Sequence, residues 1–137
     1  MKFGLSGLLW GRPDELDTDY LRTVPMADTV TTGVAPTAMT LTEYRTNLVS
    51  SGSAGTETVT MPSGEYPGQR KLLWFLTRTH ASDKIGIAVT NVEEGLIVGM
   101  TPGGATAFTL DAAGDYALLE WTGAKWTILY HNGTLTT

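Results

Sequence analysis

The residues able to do chemistry are few and far apart. His80 lies in a polar connection, Arg78-Thr79-His80-Ala81-Ser82-Asp83, and His131 follows an apolar stretch just before Asn132-Gly133. Neither has a second histidine at the spacing that lets one helix face hold zinc. Gly52-Ser53-Ala54-Gly55 misses the glycine-x-serine-x-glycine spacing that presents a strained nucleophile, and nothing in the sequence joins Ser53 to a base. Gly95, Gly99, Gly103 and Gly104 are not followed by the Gly-Lys-Ser/Thr that would cradle a phosphate. Asp14, Glu15, Asp17 and Asp19 could attract Ca²⁺, but the glycine and distal glutamate of an EF-hand loop are missing. Carboxylates beside a helix N-terminus explain that run more simply, and Glu93-Glu94 reads as a turn. With no cysteine there is no thiolate ligand and no disulfide. The expectation is no catalytic residue, no metal, no cofactor and no small-molecule substrate.

The four tryptophans raise a different chemistry, stacking against sugar rings. Trp74 sits in a continuous apolar run, and Trp121 and Trp126 sit on segments that alternate like half-buried strands. Large indoles are usually buried, so these three are read as core. Trp10 falls outside the segment that builds that core.

The elements that must position these residues are strands. Thr40–Arg45, continuing through Leu48 and Val49, is the first candidate, followed by a Ser/Gly loop over 50–56 and an alternating Glu57–Met61. Pro62-Ser63-Gly64 is a turn. Lys71–Leu76 reads as a strand buried on both faces, as does Ile85–Val89, with Leu96–Val98 a shorter one. Thr106–Leu110 alternates. The clearest unit is a hairpin: Tyr116–Trp121, a turn over Thr122–Lys125, and the return strand Trp126–Tyr130. Period-two alternation places Ala117, Leu119 and Trp121 on one face and Trp126, Ile128 and Tyr130 on one face of the return strand. Asn132-Gly133 then turns the chain, and Leu135 tucks back. The fold class is therefore all-β: a small β-sandwich, jelly-roll-like, or a partly closed barrel of about seven or eight antiparallel strands. Its expected core includes Leu73, Phe75, Ile87, Val89, Phe108, Leu119, Trp121, Trp126 and Ile128.

The chain divides near Pro36 into an N-terminal arm, residues 1–37, and a body, residues 38–137. The arm carries at most one short helix. It would start at Pro13-Asp14-Glu15, present Leu16, Tyr20 and Leu21, and stop before Pro25. Ala27–Pro36 should run extended, and Met26 reads as an alternative start. Phe3, Leu5, Leu8, Leu9 and Trp10 are apolar yet precede the body. Glycines interrupt them and no small-residue cleavage site follows, so they do not read as a secretion signal. No run approaches the length of a membrane span. A net charge of -5 argues against nucleic-acid backbones and anionic membrane surfaces as partners.

Thr58-Val59-Thr60-Met61-Pro62-Ser63-Gly64-Glu65-Tyr66-Pro67-Gly68-Gln69-Arg70-Lys71-Leu72 resembles a pattern in structural proteins of tailed bacteriophages. There a strand reading V-T-L-P-x-G turns through P-G-Q-x-K into a buried strand. Gly114–Leu129 looks like the matching end of that module. The resemblance spans roughly residues 40–135 and implies a capsid decoration (cement) protein, a head fibre or a tail-fibre module, commonly trimeric. With the arm, it implies a homotrimer on the outer surface of a phage head. The arm residues Phe3, Leu5, Leu8, Leu9, Trp10, Leu16, Tyr20 and Leu21 would bind the major capsid protein. Glycan adhesion by a fibre module is the alternative it leaves open.

Overall fold

The computed structural model describes residues 27–33, 35–52, 54–89, 107–132 and 135–136. Among them there is no helix. The strands are β1 (Ala27–Thr31), β2 (Thr37–Ala38), β3 (Arg45–Val49), β4 (Thr56–Met61), β5 (Arg70–Thr77), β6 (Lys84–Val89), β7 (Ala107–Leu110), β8 (Tyr116–Trp121), β9 (Trp126–His131) and β10 (Leu135–Thr136). They form two five-stranded sheets, β1-β3-β5-β8-β9 and β10-β7-β6-β4-β2.

From β1 to β6 each strand lies in the opposite sheet from the one before it. A neighbour within a sheet therefore comes two strands later, after the chain has crossed over and back. It arrives running the same way. Thus β1/β3, β3/β5, β2/β4 and β4/β6 are parallel. The later pairs β5/β8, β8/β9, β6/β7 and β7/β10 are antiparallel. The all-β expectation holds, but this corrects the expected strand number and orientation, about seven or eight antiparallel strands in a β-sandwich or partly closed barrel. Among the described residues the sheets are mixed, the strands number ten, and neither sheet closes into a barrel.

One hydrophobic cluster joins the two sheets. The first contributes Leu48, Leu73, Phe75, Ala117, Leu119, Trp121, Trp126 and Ile128; the second contributes Val59, Met61, Ile85, Ile87, Val89, Phe108 and Leu110. Each is buried, including Leu73, Phe75, Ile87, Val89, Phe108, Leu119, Trp121, Trp126 and Ile128. Burying a large apolar side chain is worth about 1.5–3 kcal/mol, so this cluster is the main support of the fold.

The 62–70 turn closes over the Trp121–Trp126 pair, whose rings lie 5.4 Å apart at 57°. Trp126 donates its indole N–H to the Pro62 carbonyl at 2.8 Å. A Cβ at Gly64 would stand 2.3 Å from Cγ of Trp121, so only glycine fits there. Gly68 turns the chain at a φ of 86° and donates its N–H to the Trp121 carbonyl at 2.7 Å. Gln69 accepts from the Glu65 N–H at 2.7 Å, and Arg70 pairs with Glu120 at 2.8 Å. The Pro-Ser-Gly-Glu-Tyr-Pro-Gly-Gln-Arg stretch is thus a clamp on two tryptophans.

Several local expectations change. Residues 27–31 and 37, placed in the arm by sequence, form edge strands of the two sheets, so the body begins by Ala27. The strand expected from Thr40 starts at Arg45, as β3. Thr40 donates instead to the Glu43 carboxylate at 2.9 Å within a bend. The run 71–76 is not buried on both faces: Lys71, Leu73 and Phe75 point inward, while Leu72 and Trp74 are half-buried on the outside. Tyr130 does not join Trp126 and Ile128, because Leu119 pairs with Ile128 and Leu118 with Tyr130. The extra residue, Leu129, makes a bulge, and the alternation restarts with Tyr130 facing out. The proposed helix, the apolar arm residues Phe3, Leu5, Leu8, Leu9, Trp10, Leu16, Tyr20 and Leu21, Ser53 and the Leu96–Val98 strand lie outside the described residues.

Candidate functional site

Polar side chains gather at one end of the two-sheet body. Thr32 and Ser50 extend the inward rows of the first sheet; Glu57 and Asp83 do the same for the second. All four are buried. Thr32 donates its hydroxyl to the Glu57 carboxylate, which also accepts the Ser51 N–H at 3.0 Å. Ser50 donates to Asp83 at 2.6 Å. Hydrogen bonds from Thr32, Ser50 and Ser51 therefore cross the gap between the sheets where the apolar core ends. Asp83 also accepts the N–H groups of Thr79 at 3.2 Å and His80 at 2.8 Å, closing the turn before β6. Asp115 closes the turn before β8 in the same way, accepting the N–H groups of Asp111 at 3.1 Å and Ala112 at 3.0 Å.

The Ser50 hydroxyl beside Asp83 holds that carboxyl below its ordinary value, against the opposing effect of desolvation; the His80 and Thr79 N–H groups and the His80 ring add to the lowering. Serine, histidine and aspartate meet here, but not as a nucleophilic triad. The hydroxyl proton goes straight to the carboxylate, and the imidazole Nε2 lies 2.7 Å from the Gly52 carbonyl instead. A triad needs the imidazole between the other two.

At the opposite end, Lys71 points inward and is 1% exposed. It donates to the Glu43 carbonyl at 2.7 Å. Burial lowers its pKa, and the carboxylates of Asp28 and Glu43 act against that. Thr46 donates to Asp28 at 2.5 Å on the same inner face. Among the described residues no group of three or more His, Asp or Glu is placed to hold a metal ion. These ionisable groups tie turns and sheet ends together.

The two outer faces differ sharply. Across the second sheet run Thr58–Gly86–Thr109 and Ala38–Thr60–Ala88–Ala107, all small. The first sheet carries Arg45–Leu72–Leu118–Tyr130 in one row and Asn47–Trp74–Tyr116 in the next. Trp74 stacks on Tyr116 at 5.7 Å and 20°, and Tyr116 on Tyr130 at 6.1 Å and 22°. Leu76 and Leu129 are the unpaired residues of the two bulges in this sheet and are 49% and 44% exposed. Both leucines face solvent in step with the inward Phe75 and Ile128, and the Leu129 bulge turns Tyr130 to the same side. Tyr130, 62% exposed, ends the stack on edge strand β9. The outer face of the first sheet is the surface best built for contact.

Sequence reasoning put Trp74 and Tyr130 in the core and so missed this stripe. The Trp74–Tyr116–Tyr130 ladder needs the β5/β8 register and the Leu129 bulge, neither of which local alternation reveals. No protein-family profile matches the chain, and no curated protein matches its sequence.

Proposed function

We propose that this chain is a non-catalytic structural protein of a tailed-phage particle, a decoration protein on the outer surface of the head. It acts as a homotrimer whose β-sandwich bodies sit between capsomers and whose arms grip neighbouring major capsid protein subunits. The observation that carries a binding role is the contrast between the outer faces: small residues on one, a stripe of leucines and stacked aromatics on the other. A contiguous apolar patch on an exposed sheet is a mark of an interaction surface. The phage assignment is supported by the resemblance of residues 58–72 and 114–129, whose first part makes the tryptophan clamp. The apolar arm supplies the second contact, since burying each large side chain on a partner gains about 1.5–3 kcal/mol before ordering costs. Three arms on one trimer add through effective concentration.

The test is co-sedimentation with expanded phage heads lacking this protein. The full chain should decorate them, and a chain lacking residues 1–25 should not, while keeping its fold. Equal occupancy by the truncated chain would refute the arm's role.

The fibre reading, with glycan as ligand, draws on the exposed ring of Tyr130. The stack works against it. Sugars bind to ring faces, and both faces of Tyr116 are covered by Trp74 and Tyr130. Strong signals on a glycan array, lost on Tyr130→Ala, would favour the fibre reading.

A further inference from the structure

We propose that the leucine–aromatic stripe is the seam between copies of this chain: three bodies set the outer faces of their first sheets around a common axis, with β9 of each beside β1 of the next. This deepens the decoration reading, resting on its homotrimer, and gives the stripe other copies of the chain as its partner.

Strand order and side-chain size carry it. Among the described residues the stripe has no match elsewhere on the body: Tyr44 and Tyr66, the other exposed large apolar side chains, stand singly in turns. Copies that bury the stripe on one another therefore meet stripe to stripe. The sheet is about 19 Å across its five strands, and packed sheets stand about 10 Å apart, so each face supplies about 5 Å of side-chain depth. Three faces of that width, set as the sides of a triangle, lie about 5.5 Å from the axis, a depth that such side chains fill. Four would lie about 9.5 Å away and leave a hollow that close packing does not tolerate.

A triangle, unlike a pair of flat faces, is deepest over the middle of each side and shallow at the corners. The sheet has that taper. Its central strand β5 carries Trp74 and Leu76, and the adjoining β8 carries Tyr116. Edge strand β1 turns only Ala27, Thr29 and Thr31 outward, in register with Arg45, Asn47 and Val49. At a corner these small residues leave room for Tyr130 on edge strand β9 of the next body. Each face runs about 20 Å along its strands, so a body gives up about 400 Å², half of what each partner contributes to a standard interface. The trimer should therefore form reversibly.

Sedimentation velocity of the full chain from about 1 μM to about 1 mM should show monomer giving way to trimer. Leu76→Glu brings three like charges near the axis, and Leu129→Glu charges the corner. Both sites are exposed, so both variants should keep the wild-type circular dichroism and melting temperature. Their trimers should form at least about tenfold more weakly, because an unpaired charge is being buried. Thr60→Glu, on the outer face of the second sheet, should associate as wild type does. The chain has no cysteine, so position can be read with a short bismaleimide. Thr29→Cys and Tyr130→Cys in one chain stand on opposite edges, about 19 Å apart and beyond the linker. Together they should be joined between copies into covalent trimers, and either alone should give none. A wild type that stays monomeric, a dimer as end state, association indifferent to both glutamates, or Thr29→Cys joined to itself would each overturn the proposal. The two ideas fail separately. Trimers that leave heads undecorated would sink the decoration reading alone, and heads decorated by a protein that fails these tests would sink the seam alone.

Discussion

Placing a single methyl group at Gly64 tests the tryptophan clamp. A Cβ there would lie 2.3 Å from Cγ, 2.6 Å from Cβ and 2.7 Å from Cδ1 of Trp121. Carbon atoms pack at about 3.5–4.0 Å, so the turn or the indole must move by more than 1 Å. Neither is free to move. Trp126 backs the indole, 5.4 Å away, and is itself tied to Pro62. The turn is held by the Gly68 and Trp121 N–H groups, bonded to the Trp121 and Gln69 carbonyls. Gly64→Ala should therefore cost about 1–3 kcal/mol, the usual range for overpacking. Trp121→Ala should cost about 3–5 kcal/mol. In the double variant the ring contacts are gone but Cβ of residue 121, 2.6 Å away, remains, so the Gly64→Ala cost should fall without vanishing, a departure from additivity. Urea unfolding followed by circular dichroism and tryptophan fluorescence measures all three variants. An unchanged midpoint for Gly64→Ala, or the same cost with and without the ring, would refute the clamp.

The ionisable groups give two further tests. Because the folded Asp83 carboxyl titrates below its ordinary 3.8, its ionised form stabilises the fold above that value, and the benefit is lost as pH falls through the lower folded value. Asp83→Asn should be less stable than wild type at pH 7, with the gap closing below about pH 3.8; a gap constant to pH 2 would contradict this. For Lys71 the slope has the same sign, but the cause is reversed: burial penalises its charged form. Its lowered folded pKa means that the unfolded chain holds the proton longer, so stability rises with pH between the folded value and 10.5. Lys71→Met should lack that rise, and a parallel pH profile would show that burial of the amine is not its cause. On the outer face, Tyr116→Ala removes both ring contacts, worth about 0.5–1.5 kcal/mol each, and should destabilise more than Tyr130→Ala, which removes one. Equal melting temperatures for the two would count against the stack.

Much of the strand pattern was readable because it is local. The hairpin over 116–130 shows both the reach and the limit of that reading. Ala117, Leu119 and Trp121 alternate into the core as their spacing requires, and so do Trp126 and Ile128. Tyr130 departs because Leu129 bulges, and no glycine marks the place. The run 71–76 looked buried on both faces because Leu72 and Trp74 are apolar; their outward position depends on neighbours Leu118 and Tyr116, more than forty residues away. Parallel pairing was hidden for a similar reason. Nothing in the local pattern of β3, β4 and β5 says that the chain changes sheet at each turn. The Asp-closed turns were open to view, since Ala-Ser-Asp and Ala-Gly-Asp each stand immediately before a strand. The buried Ser50–Asp83 and Thr32–Glu57 contacts were not, because they join residues from different sheets.

The proposed decoration role is tested most directly by electron cryomicroscopy of intact particles of the phage proposed to carry this protein. The expected result is a two-sheet body repeated at symmetry-related positions over the outer head surface, with residues 1–25 seated on the major capsid protein. Density for the body confined to the tail, or a head surface carrying none of it, would contradict the proposal.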